Sequence, residues 1–379
     1  MSTATVPRAT REEKDRLLED FVRLCEIESP SRRERQCVDA MASELRGLGL
    51  QVDGDSTGAE TGSDSGNLIA RIDGPEDART IMLCAHLDTV PLEGPVEVAR
   101  ENGNLTNKHD AILGADNKAA VAVILGVARR FASGGSPVGI ELVFTTCEEI
   151  GLRGAKAFDR GVLRSEYGFV FDHASPIGEL IVASPTYYRI DARFRGHAAH
   201  AGIRPEAGRN AIAAAAGAIA RLDLGRLDRE TTANVGTIKG GTAANVVAEH
   251  CTVGLEARSI DHDRASGIVS QMVDTITEAA SDAECDVETT VEEMNRGYRI
   301  ARNSPPAAVT AAALQELGFE PSYVSSGGCS DANIFVAAGL PCLNVANGTE
   351  RNHQPDESVT VEALETMLDV TLGIVAHSA

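Results

Sequence analysis

Three short apolar runs in this chain each stop on a histidine or an acid: IMLCAHLD (81–88), GIELVFTTCEEIG (139–151) and EYGFVFDHAS (166–175). Runs of this length bounded by Gly, Pro and Asp predict buried strands. The His and acids that close these runs mark strand ends. AAVAVILGVARRFAS (119–133) reads as a helix between them. Strand, helix, strand, strand predicts an α/β domain. In open α/β sheets the carboxyl ends of the strands are where sites form.

Within MLCAHLDTVP (82–91), His86 and Asp88 stand two apart and share one face of an extended chain. The pair suits a metal-bound imidazole organised by a carboxylate, and equally a satisfied strand end beside a capping Asp. GADNKAAVAVIL (114–125) puts Asp116 immediately before the Ala-rich helix, an N-cap position. The glycine spacing of a phosphate loop is absent around Lys118. Glu148 and Glu149 are adjacent, face opposite sides of a strand, and need not share a task. Asp172 ends the third run, and His353 stands in the polar loop ERNHQPDES (350–358). Each of these alone is more often structural. Together, two His and several carboxylates suit Zn²⁺, with Mn²⁺ or Co²⁺ as substitutes. Five ligands exceed one tetrahedral ion and suit two, roughly 3.5 to 4 Å apart, sharing a bridging carboxylate.

The texture changes near residue 185. YYRIDARFRG (187–196) alternates like an antiparallel strand, RNAIAAAAGAIARL (209–222) is an Ala-rich helix, and ASGIVSQMVDTITEAASDA (265–283) an amphipathic one. From about 297 the apolar strand and helix signals return. A chain of 379 residues exceeds the usual size of one core. The expected organisation is therefore a catalytic domain in two parts, 1–184 and 297–379, with a smaller α+β domain, 185–296, inserted.

A formal charge of −21 opposes nucleic-acid binding. No apolar run reaches a membrane span, and no signal peptide is visible, so a cytoplasmic protein is expected. The eight cysteines form no CxxC pair and predict reduced, packed thiols.

AHLDTVP, GADNKAAVAVIL, TCEEIG, FDHASP, GHAAHAG and NGTERNH, in this order, resemble the dinuclear zinc peptidase and deacylase family of carboxypeptidase G, peptidase T, aminoacylase and succinyl-diaminopimelate desuccinylase. ILGADNKAAVA, EEIGLRGAKAFD and GHAAHAGIRPEAGRNAI look most like its peptidase T-like branch. The resemblance implies a catalytic domain with a mixed sheet flanked by helices and an inserted lid and dimerisation domain. It implies that His86 and Asp172 hold one zinc ion, Glu149 and His353 the other, and that Asp116 bridges them. Asp88 would orient His86, and Glu148 would be the general base. His200 would stabilise the oxyanion, often across a homodimer. Asn245, Arg258, Gly327 and Gly328 would meet the substrate. The implied reaction is cleavage of an amide near a free carboxylate in a small peptide. N-acyl amino-acid deacylation on the same metals, or peptide binding without turnover, are the alternatives.

Overall fold

The computed structural model describes residues 7–379, which divide into two compact units. One contains the described residues up to Val182 with Ile300–Ser325 and Ser330–Ala379; the other is Ala183–Arg299 with Ser326–Cys329.

In the first unit, Gly139–Thr145, Thr80–His86, Tyr167–Val170 and Cys342–Val345 lie side by side, all parallel, and Leu68–Ile72 runs antiparallel outside them. Leu83 pairs with Leu142 and Phe169, and all three are fully buried, as expected of parallel strands covered on both faces. Ala115–Gly134 packs against Thr80–His86 and against the helices Arg11–Cys25 and Val361–His377. Being apolar around its circumference, it is buried along most of its length. The register aligns the strand ends: His86 is opposite Thr145, and Cys84 is opposite Val170. Asp88, Glu148 and Asp172 follow within three residues of these positions, and so emerge at one edge of the sheet.

A small antiparallel sheet joins Thr349–Glu350, Ser358–Thr360, Asn104–Asn107 and Val98–Glu101. Its hairpin turns on Asn102 and Gly103, both at positive φ (51° and 84°). Asn-Gly suits that turn because neither residue resists the left-handed region strongly. His353 lies in the connection between Thr349–Glu350 and Ser358–Thr360.

The second unit has its own antiparallel sheet, ordered Gly225–Arg226, Thr231–Gly240, His250–Ser259, Thr186–Arg195, Asp286–Asn295. Ala211–Arg221 and His262–Asp282 pack on it and on each other, burying Ile190, Phe194, Leu255, Met272 and Ile276 in a separate core.

Candidate metal centre

Seven of the predicted residues converge in the first unit. Asp116 is the hub: its Oδ1 lies 3.3 Å from His86 Nε2 and its Oδ2 3.2 Å from His353 Nε2. Asp172 Oδ1 is 3.7 Å from His86 Nε2, and Glu149 Oε1 is 3.0 Å from His353 Nε2. Ligand atoms of His86, Glu148 and Asp172, and of His86, Asp116 and Glu149, fall within 4.8 Å of one another.

The expected capping role of Asp116 is not what its side chain does. Its backbone leaves the helical region (φ −82°, ψ 102°), no side-chain cap bond forms, and the peptide bond to Asn117 is cis. The carboxylate turns instead to the two imidazoles and to Asn352 Nδ2, which donates to it at 2.9 Å. Ser330, by contrast, does cap its helix, Asp331–Ala337, accepting from Ala332 N–H.

The donor chemistry suits cations. His86 Nδ1 lies 3.0 Å from the Asp88 carbonyl oxygen, so Nδ1 carries the proton and the neutral ring presents a lone pair at Nε2. That lone pair faces two carboxylates. Acceptors facing acceptors in a buried place repel unless a proton or a cation lies between them. In the metal-free protein the proton takes this place. Burial alone would lower the His86 pKa, but hydrogen bonds to Asp116, Asp172 and Asp88 hold it well above the usual value. Hydrogen bonds to Asp116 and then Glu149 push His353 up to about 10. Burial raises Asp116, yet its bonds to His353 and His86 outweigh that and leave it below the usual carboxylate range. Burial lifts Glu149 to about 7; burial and then the Asp172 charge lift Glu148 well above its usual value.

Four consecutive amides anchor the two glutamates. Thr146 N–H donates to Asn67 Oδ1, Cys147 N–H to Glu34 Oε1, Glu148 N–H to Asp88 Oδ1 and Glu149 N–H to Asp88 Oδ2, at 2.9 to 3.2 Å. Ser31 Oγ also donates to Asp88 Oδ2, at 2.6 Å. The Asp88 carboxylate thus engages the glutamate loop more closely than His86, whose Nδ1 is 3.5 Å from Oδ1. Cys147 sits at φ 55°, in the left-handed region, which reverses the chain between strand and glutamates. Sequence reading singled out neither Glu34 nor Asn67, because they act through backbone groups far along the chain.

The other five predicted residues lie in the second unit. Ala201 N–H donates to Asn245 O at 2.9 Å, and His200 bridges to Val246, so His200 and Asn245 are neighbours. Gly202 N–H donates to His200 Nδ1 at 3.2 Å, which leaves Nε2 as the protonated, donating nitrogen. Arg258 stacks over the Tyr187 ring at 4.2 Å and donates to Glu256 through Nε and Nη2. Its Nη1 donates to Gly327 O at 3.3 Å, beside Gly328, whose own carbonyl accepts from Ser184 Oγ.

Residues 82–377 match the model of peptidase family M20/M25/M40. An uncharacterised protein of Bacillus subtilis (strain 168), YqjE, is 34% identical over 96% of this chain and 98% of its own. The crystal structure of aminopeptidase PepT from Bacillus cereus ATCC 10987 is similar at 34% identity and a TM-score of 0.88, over 96% of this chain and 98% of that one. A tripeptidase structure from Staphylococcus aureus subsp. aureus Mu50 gives 31% identity and a TM-score of 0.91, with the same coverage.

Proposed function

The chain belongs to peptidase family M20/M25/M40 as a metal-dependent, peptidase T-like hydrolase, and from that premise we propose a two-ion centre that removes a residue from a di- or tripeptide. His86 and Asp172 would hold one ion, Glu149 and His353 the other, with Asp116 shared between them. The observation that carries this reading is the Asp116 carboxylate, with one oxygen facing each imidazole nitrogen. Nitrogen and oxygen donors in this mixture suit zinc. When bound, the ions polarise the scissile carbonyl and make water a better nucleophile.

The chain's own residues supply the proton transfers. Glu148 is the general base: it takes the proton of the attacking water and passes it to the departing amine. Glu149 is tied to His353 and keeps to ligation. Asp88 fastens both glutamates through their amides and holds His86 in its tautomer through its carbonyl. His200, with Nε2–H free to donate, stabilises the oxyanion. Asn245, and Arg258 with the Gly327–Gly328 turn it bonds, meet the peptide's free carboxylate. For Arg258, that carboxylate competes with Glu256. The protein acts as a homodimer through the second unit, where Ile203, Ile212 and Ile238 are exposed. Its eight free thiols, seven of them buried, fit a reducing cytoplasm.

The test is a screen of di- and tripeptides against N-acyl amino acids, with Zn²⁺, Mn²⁺ or Co²⁺ restored to the chelated protein. Turnover of peptides is expected. Hydrolysis of N-acyl amino acids alone would move the assignment to a deacylase, and metal-independent turnover would remove the mechanism.

A further inference from the structure

Glu357 is a carboxylate at 1% exposure whose hydrogen-bond partners are backbone amides. Its Oε2 accepts from Gly114 N–H at 2.7 Å and its Oε1 from Asp116 N–H at 2.8 Å, across more than 240 residues of chain. Its own N–H donates to Gln354 O at 2.9 Å and closes the turn that follows His353. One side chain therefore fastens the segment carrying Asp116 to the loop carrying His353.

The local sequence explains what this fastening does. An Asp in front of an Ala-rich helix would ordinarily fold back and accept the first free amides of its own helix. Here Glu357 accepts the Asp116 amide from outside. With its backbone amide held there, the Asp116 carboxylate faces His86, His353 and Asn352. Gly114, at φ +76°, makes the turn that exposes both amides to the same carboxylate. The amide hydrogen bonds offset only part of the cost of burying this acid, and burial lifts its pKa to about 7.

We propose that Glu357 is a positioning residue that ties the backbone of Asp116 to the loop of His353 and so sets the affinity of the centre for the ion held by Glu149 and His353. This rests on the ligand assignment above. Without Glu357 that ion loses two well-placed ligands, Asp116 and His353, whereas the ion at His86 and Asp172 loses one.

The experiment is a calorimetric Zn²⁺ titration of the metal-free full chain, wild type against Glu357→Gln, alongside the thermal midpoint of each metal-free protein. Gln keeps the volume but turns one acceptor into a donor facing an amide. The wild type is expected to bind two ions. In the variant one step should weaken about 10- to 100-fold, the range for a lost ligand-orienting contact, and clearly more than the other, whose ion loses one well-placed ligand rather than two. Glu357→Asp keeps two acceptor oxygens and should recover part of the loss; it also serves if the Gln variant does not fold. Two unchanged steps, or two steps weakened equally in proportion to a fall in midpoint, would overturn the proposal. A wild type that binds no ion overturns the ligand assignment itself, a result that no variant can mimic.

Discussion

The identities of Glu148 and Glu149 differ less than their surroundings do. Both are acids at the end of one strand, but Glu149 is committed to His353 while Glu148 stands with His86 and Asp172. Replacing Glu148 by Gln should lower kcat by about 100- to 10,000-fold, the span of general-base contributions, with two ions still bound. A variant that loses an ion as well would make Glu148 a ligand, a role its distance to His86 and Asp172 allows. His353 invites a second measurement. In the metal-free protein its pKa is about 10, so at pH 8 it is protonated, whereas a ligating imidazole must be neutral. Metal uptake at pH 8 should therefore release at least about one proton, and apparent affinity should fall as pH is lowered. Titrations in buffers of different ionisation enthalpy count that proton directly. An enthalpy independent of buffer would show that neither protonated imidazole, His353 or His86, binds an ion.

At the level of elements, sequence pattern identified the strands that lead into His86, Glu148 and Asp172, because each passes abruptly from apolar to charged residues, although the last two residues lie just past the strand ends at Thr145 and Val170. Asp116 and His353 stand in a helix start and a polar loop, which carry no such step, and their roles as bridge and ligand came only from the family resemblance. Asn67, Glu34 and Glu357 escaped both, because a side chain that accepts a remote amide leaves no local periodicity. The Asn102–Gly103 hairpin carries a local turn signal in its Asn-Gly pair. Two elements allow direct tests. Asn67→Ala strips acceptors and donors from Thr146 N–H, Gly154 O and Asp55 at once. It should cost about 1 to 3 kcal/mol in denaturant unfolding and lower kcat by loosening the loop of Glu148. The helix Arg11–Cys25 is docked by Glu13, which closes a capping box with Thr10 and bonds Arg130 of Ala115–Gly134. The Arg130 guanidinium, against some burial, lowers the Glu13 pKa from 4.5 to about 2. A lowered carboxylate pKa stabilises the fold above the unfolded value and loses that contribution as pH falls through the folded one. Wild type should thus exceed Glu13→Gln in stability by about 1 kcal/mol near neutrality, a solvent-screened figure, and the gap should close between pH 4.5 and pH 2. A gap that persists at pH 2 would assign the effect to packing.

On the scale of the whole molecule, the chain has two hydrophobic cores with separate memberships, one built on the parallel sheet and one on the antiparallel sheet. The proposed metal ligands all belong to the first unit. Two cores of this kind need not unfold as one cooperative system. A ligand stabilises the state that binds it by RT ln(1 + [L]/Kd), about 2.7 kcal/mol at a hundredfold excess over Kd. That increment applies to openings that break the site and leaves others untouched. Hydrogen exchange should therefore slow on metal addition in Thr80–His86 and Gly139–Thr145. Thr186–Arg195 and His250–Ser259, strands of the second core, should exchange at unchanged rates in the metal-saturated protein without substrate. Each strand is a run of paired backbone amides, so its protection reports the opening of its own sheet. If both sets slow by the same factor, the two cores open together, and metal affinity becomes a property of the whole chain rather than of the unit that holds the ions.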